Sequence, residues 1–209
     1  MQVGTLHLQD VGTRTVEGRR YLILEDLAAG YRLPCVLDAK VGLQTWYPWG
    51  PQALISKYRL KDDSTTQATL GFRLCGVKAA LADGSGDWRE DRHWGKRLDK
   101  AGALAALKRF SDNGILAPRD VVGPVLAELQ SMAAVFRTQT SYHLFSASVL
   151  LLYEGAARCA AEARVAVRLI DFAHAFPAGM HEGGPDANFL AGLEGLIAAL
   201  EEVVGPAGV

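Results

Sequence analysis

The chain has 209 residues, 49% hydrophobic and 22% charged, with a formal net charge of −1. That composition suits one domain or a compact pair of lobes, and no apolar run is long enough to span a membrane. Nothing global draws it to nucleic acid or to a membrane surface, so any polyanion site must come from a local cluster.

Residues 19–27 (RRYLILEDL) read as a short apolar strand that runs into two acids, Glu25 and Asp26. The next stretch, PCVLDAKVG (34–42), suits a buried strand through Val36, Leu37, Ala39 and Val41, but Asp38 and Lys40 interrupt it. A period of two puts both charges on one face, about 6–7 Å apart along the strand. That face is either solvated or lines a pocket for a charged ligand. Pro51 to Leu60 can form only a short helix, and at helical spacing Lys57 and Lys61 share a face. Between 57 and 78, Lys57, Arg59, Lys61, Arg73 and Lys78 stand against only Asp62 and Asp63. This is a mixed-charge surface or a grip for separate phosphates.

Residues 69–81 alternate as a strand, and 82–88 (ADGSGDW) make a turn or loop. Helical apolar spacing covers 99–111 and 119–139, with Asp99 and Asp120 as caps and Pro124 early enough to be tolerated. Residues 143–155 and 164–174 read as strands, 181–186 (HEGGPD) as a breaker, and 187–203 as a closing amphipathic helix whose apolar stripe packs the core. Strands and helices do not alternate regularly, which predicts an α+β fold rather than a doubly wound α/β one.

Asp171 ends the strand in VRLIDFAH. A carboxylate at the end of a buried strand caps a turn, or is paired, or binds a cation. Other chemistries find no support. The five histidines show no HExxH or paired metal spacing, and His174 reads as structural or as a neighbour of the site. There is no GxSxG elbow and no GxxxxGK[ST] loop. Cys35, Cys75 and Cys159 form no CxxC pair, and Met1 opens no signal peptide; a reducing compartment is expected. The tryptophans 46, 49, 88 and 94 are scattered and lack a basic track for stacking nucleic-acid bases.

PCVLDAKVG fits the P-x-x-x-D-x-K-x-G signature through Pro34, Asp38, Lys40 and Gly42. With LILEDL, TTQATLGFRLCG, SASVLLLYEG, LIDFAH and DANFLAGLEGLI in order, the chain from about Tyr21 onward resembles the inositol polyphosphate kinase family. QTWYP and TTQATLGFR are most like the multikinases of plants and green algae. The resemblance implies a protein-kinase-like α+β fold, Mg²⁺ as cofactor and ATP as co-substrate. It implies phosphoryl transfer to an inositol polyphosphate hydroxyl, with no nucleic-acid partner, in a monomer of the nucleus and cytoplasm. A phosphoinositide head group is a further ligand of the same chemistry.

By position, Glu25 to Leu27 would be the hinge whose backbone holds adenine. Lys40 would stand between the inositol hydroxyl and the γ-phosphate, and Asp171 would coordinate Mg²⁺. Asp38 would face the nucleotide ribose or help position the acceptor hydroxyl. Ser148 would support the metal and phosphate side, although Ala147 replaces the serine that often precedes it. Lys57 and Lys61 would roof the inositol pocket on a helix at about 50–62, and Lys96 is a further candidate there. Residues 1–27 would then be a remnant of the N-lobe with the hinge, and 28–209 the C-terminal catalytic lobe. The first lysine is Lys40, so the N-lobe lysine for the α- and β-phosphates has no counterpart; an incomplete gene model, a natural short form lacking ATP affinity and a pared-down enzyme that compensates are the alternatives, and the first is expected. The rival reading is a non-catalytic inositol phosphate or phosphoinositide binding module.

Overall fold

The computed structural model describes residues 10–81, 84–181 and 183–205. Strands β1 (Asp10–Val16) and β2 (Arg19–Leu24) form an antiparallel hairpin. The apolar strand expected at 19–27 is therefore present, but every side chain of β2 is exposed, Tyr21, Leu22, Ile23 and Leu24 among them. A turn follows, tied by the Asp26 carboxylate, which accepts the Ala28 N–H at 3.0 Å.

The remaining elements, in chain order, are β3 (Pro34–Val41), α1 (Gln52–Asp63), α2 (Thr66–Leu70), β4 (Phe72–Ala80), β5 (Asp87–Glu90), α3 (Arg92–Gly95), α4 (Lys100–Phe110), α5 (Pro118–Thr138), β6 (Tyr142–Leu144), β7 (Ser148–Glu154), β8 (Ala166–Ile170), β9 (Ala175–Pro177) and α6 (Ala187–Val204). Five of the strands make one antiparallel sheet in the order β5-β4-β3-β7-β8, and β6 pairs with β9 apart from it. Strands and helices are mixed without a βαβ repeat, so the fold is α+β.

Central strand β3 shows the alternation its sequence predicts. Cys35, Leu37, Ala39 and Val41 are fully buried, whereas Val36, Asp38 and Lys40 share the other face. The buried face meets α4, α5 and α6 in a core that includes Leu74, Leu107, Leu129, Met132, Tyr153, Phe189, Leu193 and Leu196. The apolar stripe of α6 is indeed core. No helix of the described residues is long and apolar enough to cross a membrane.

Backbone approaches backbone where α6 crosses the sheet. A Cβ built on Gly192 would lie 2.1 Å from the Gly42 nitrogen, and one on Gly195 would lie 1.9 Å from the Leu70 oxygen. Gly95 does the same for α3, whose added Cβ would fall 1.8 Å from the Leu74 oxygen. Only glycine permits these contacts.

Several expectations need correction. Residues 143–155 are not one strand: Ser146 adopts φ 58° and breaks the run into β6 and β7. The strand expected over 164–174 stops at Ile170, because Asp171 turns left-handed at φ 65° and a 3-10 turn follows. Asp99 does cap α4, accepting the Gly102 N–H at 2.8 Å. Asp120 instead lies inside α5 and accepts the Ala117 N–H at 3.1 Å, with Pro118 at the first turn. Helix α2, strand β5 and helix α3 were not anticipated from the sequence.

Candidate functional site

The polar face of β3 opens into a cleft of about 710 Å³. Its walls come from β3, α1, β4, α3, the Ser146 turn and the segment after β8. Lys40, Lys57, Lys61, Arg73, Arg92 and Lys96 line it, against the two carboxylates of Asp38 and Asp171. In a chain of net charge −1 this is a strong local excess of cations. Such a cleft concentrates positive potential and attracts polyanions.

The register of the sheet builds its floor. Lys40 pairs with Arg73 on one side and Ser148 on the other, while Asp38 pairs with Gly76 and Leu150. Lys40 Nζ donates to the Ser146 carbonyl at 2.6 Å and to Asp171 Oδ2 at 3.0 Å. The ion pair is asymmetric in its surroundings. The Lys40 side chain is 15% exposed and that of Asp171 54%. Asp171 therefore presents its carboxylate to solvent while the lysine is fixed from below.

Asp38 is mostly buried, and its Oδ1 has no hydrogen-bond partner. Burial pushes its carboxyl above the usual carboxylate range, with the Ser148 hydroxyl and Lys40 pulling it back. Ser148 Oγ is itself fully buried and is joined to no partner by a bond of ordinary geometry. Beyond their influence on each other, these two buried polar atoms at the cleft floor have no partner, which is costly unless a ligand or ion completes them.

Helix α1 supplies the roof. Lys57 is exposed, and Lys61 is part-buried, with its Nζ donating to Thr45 Oγ1 at 2.9 Å. Burial pushes the Lys61 ammonium below its ordinary value, against the opposing pull of Asp62. Asp62 is 2% exposed; burial raises its carboxyl, and the Thr45 amide and hydroxyl counter this. Helix α3 lies directly on β4 through Gly95 and so brings Arg92, His93 and Lys96 to the mouth.

Arg73 was visible in the sequence only as one more basic residue. In the structure it is 4% exposed, it lines the cleft, and its Nε has no partner. Among the described residues no ion pair or hydrogen bond engages its guanidinium. A nearly buried, unpaired cation beside Lys40 and Lys61 is the feature of the site most in need of an anion. Arg92 was not anticipated either, since the strand β5 and helix α3 that place it were not read. The alternation of FRLCG could have flagged Arg73, which falls on the same face as Cys75.

Other predicted residues lie elsewhere. Glu25 is exposed and Leu27 partly so, at the exit of the hairpin and outside the cleft lining. The segment after them is anchored firmly. Arg32 N–H and Leu33 N–H both donate to the Glu154 carboxylate, at 2.7 and 2.9 Å, and Ala156 N–H donates to it at 3.0 Å. Burial alone would raise Glu154, but these three amides hold it below the ordinary glutamate value. His174 lines the cleft with its ring 5.5 Å from that of Tyr47. Among the described residues no group of three or more His, Cys, Asp or Glu could hold a metal. A divalent cation at Asp171 would have to take most of its ligands from the substrate's phosphate oxygens.

The family model for inositol polyphosphate kinase matches residues 21–201. The chain belongs to the inositol polyphosphate kinase family. An inositol polyphosphate multikinase of Oryza sativa subsp. indica is 39% identical over 198 residues, 88% of this chain and 66% of that protein. A solved inositol phosphate multikinase structure superposes with TM-score 0.78 at 34% identity, covering 87% of this chain and 85% of that one. Inositol phosphate multikinase Ipk2 from S. cerevisiae, in complex with ADP and Mn²⁺, gives TM-score 0.81 at 21% identity over 96% and 89% of the two chains. The last likeness is one of fold. The chain spans slightly less than two thirds of the length of the rice protein it matches. Of the residues that carried the resemblance in PCVLDAKVG, Asp38 and Lys40 line the cleft, and Gly42 is held under α6.

Proposed function

We propose that this chain catalyses ATP-dependent phosphorylation of inositol polyphosphates, with Mg²⁺ as the metal. The observation that carries the reading is the Lys40–Asp171 pair, 3.0 Å apart, in a cleft that Lys57, Lys61, Arg73, Arg92 and Lys96 also line. Phosphoryl transfer needs positioning and charge stabilisation more than covalent help from the protein.

In this reading Lys40 neutralises charge on the transferred group. Its ammonium is already aimed by the Ser146 carbonyl, so little reorganisation is needed. Asp171 would hold Mg²⁺, which supplies charge neutralisation between the nucleotide's phosphates when bound. The unsatisfied Asp38 Oδ1 and Ser148 Oγ lie on the same side and suit a polar or cationic neighbour. Lys57, Lys61, Arg73, Arg92 and Lys96 would take the phosphates of the acceptor. The backbone of Glu25 to Leu27 would meet the adenine, next to a segment fixed by Glu154. Residues 28–209 would form the catalytic lobe, acting as a monomer in the nucleus and cytoplasm; a phosphoinositide head group presents the same phosphates to the cleft.

The test is direct. The purified protein, given Mg·ATP and an inositol trisphosphate or tetrakisphosphate, should yield a more highly phosphorylated inositol, and chelation of the metal should stop it. Acceptor binding without turnover would favour the non-catalytic binding module. Neither binding nor turnover would refute both.

A further inference from the structure

The stretch QTWYP follows the signature strand and contributes none of the cations assigned above. Thr45, within it, is fully buried, yet it is a polar residue joined on three sides. Its hydroxyl donates to the Asp62 carboxylate (2.8 Å to Oδ1), and its own N–H donates to Asp62 Oδ2 at 2.7 Å. A threonine hydroxyl has one proton and two lone pairs. With its proton spent on Asp62, the oxygen is left as an acceptor, and Lys61 Nζ fills that place at 2.9 Å. The Lys61 ammonium stands 3.7 Å from Asp62, so the hydroxyl is its shorter contact.

The third side of Thr45 leads to the other lysine. Its carbonyl accepts the Ser146 hydroxyl at 3.1 Å. Ser146 is in the left-handed region, φ 58°, a conformation that costs a non-glycine residue and persists only where surrounding bonds impose it. That turn aims the Ser146 carbonyl at Lys40 Nζ, 2.6 Å away. One buried threonine therefore stands between the roof lysine and the floor lysine, and both ammonium groups donate a bond into this network.

We propose that Thr45 is a positioning residue that aims two cleft lysines at once, Lys61 through its hydroxyl and Lys40 through its carbonyl and the Ser146 turn. Without the hydroxyl, Lys61 keeps the Tyr58 ring, 4.2 Å from its ammonium, and the Asp62 carboxylate at 3.7 Å; the charged partner draws it toward Asp62 and away from the cleft. Thr45 is fully buried and does not line the cleft. It sets where the acceptor's phosphate is held relative to the lysine at the transferred group. The kinetic consequences rest on the kinase reading above; the geometry of Lys61 does not.

The experiment uses the full chain and three variants. In Thr45→Val the shape is kept and the hydroxyl is lost; Thr45→Ser restores the hydroxyl. Ser146→Gly removes only the second arm, at a position where glycine tolerates the backbone. Lysine-selective NMR of the side-chain ammonium groups reads the Lys61 signal, which a hydrogen bond protects from exchange. Thr45→Val should lose or shift that signal and Thr45→Ser should keep it. In kinase assays Thr45→Val should raise the KM for the inositol phosphate roughly tenfold with the KM for ATP unchanged, because a bond to a charged group supporting ground-state binding is lost. Ser146→Gly should lower kcat instead. A Lys61 signal unchanged in Thr45→Val, or equal losses in Thr45→Val and Thr45→Ser, overturns the inference. If Thr45→Val does not fold, Ser146→Gly decides through Lys40, whose ammonium signal must shift. Should the Lys61 signal move as expected while the unaltered protein transfers no phosphate, the kinase reading fails and the positioning role stands.

Discussion

Replacing Arg73 by methionine should make the ligand-free protein more stable and its polyanion binding worse. Arg73 is 4% exposed as a residue, its Nε is buried without a partner, and among the described residues no carboxylate pairs with it. Arg73 also pushes the Lys61 ammonium down, a sign that the two cations repel, while it eases the ionisation of Asp38. Desolvating an ion costs several kcal/mol, and exchanging buried charges for apolar groups of similar volume gains about 1–4 kcal/mol where measured. Part of this is offset here because Asp38 loses a favourable neighbour, which leaves a gain of about 2 kcal/mol. For a chain of this size that raises Tm by about 4–8 °C. The assay is thermal unfolding with and without inositol hexakisphosphate as the probe. The unaltered protein should be stabilised strongly by the probe and Arg73→Met much less, so the order of the two Tm values reverses once ligand is added. A lower Tm for Arg73→Met in the absence of any anion would refute the reasoning, since it would mean the guanidinium already has its partner in the fold.

Asp171→Asn should leave the fold intact, as the side chain is 54% exposed, and reduce turnover by at least ~10³-fold, about 4 kcal/mol of transition-state stabilisation; activity within tenfold of the unaltered protein removes Asp171 from the metal role. Replacing Lys57 and Lys61 together by alanine should raise the KM for the inositol phosphate but not for ATP, and acceptor binding should weaken as salt rises, because Lys57 is exposed and screened. Glu154 is held below its ordinary value by three backbone amides, so its contribution to stability is complete above about pH 4.5 and is lost as pH falls through the lower folded value. Acid unfolding of Glu154→Gln should accordingly lack that part of the pH dependence, and a slope identical to that of the unaltered protein would contradict the tether.

What could be read in the sequence was what local chemistry enforces. The alternation of β3 puts Asp38 and Lys40 on one face because one buried face leaves no other register. Lys57 and Lys61 share the cleft because helical spacing puts them there, and Asp99 caps α4 as a carboxylate before a helix should. The failures came where tertiary bonds overrule local preference. Nothing in HLFSASVLLLY marks Ser146 as a left-handed break; the bonds to Thr45 and Lys40 that favour it come from residues 100 or more positions away. Arg73 in FRLCG looks like an ordinary strand residue, and only the folded sheet reveals that no acid among the described residues pairs with it. Apolar β2 was read correctly as a strand, but periodicity cannot tell which strand finds a partner layer, and its side chains stay exposed.

Helix α6 puts no side chain into the cleft, yet it is the element on which the cleft's geometry rests most rigidly. Gly192 and Gly195 bring its backbone against Gly42 and Leu70, the segments that end β3 and precede β4. Side-chain packing can relax around an added methyl group, but contacts of backbone on backbone have no rotamers to give. Sequence drift in α6 is therefore free on its outer surface, limited by volume on its core face, and closed along this seam. A single methylene introduced there, more than 150 residues from Lys40 in sequence, would be transmitted to the lysine as a rigid displacement of its strand end.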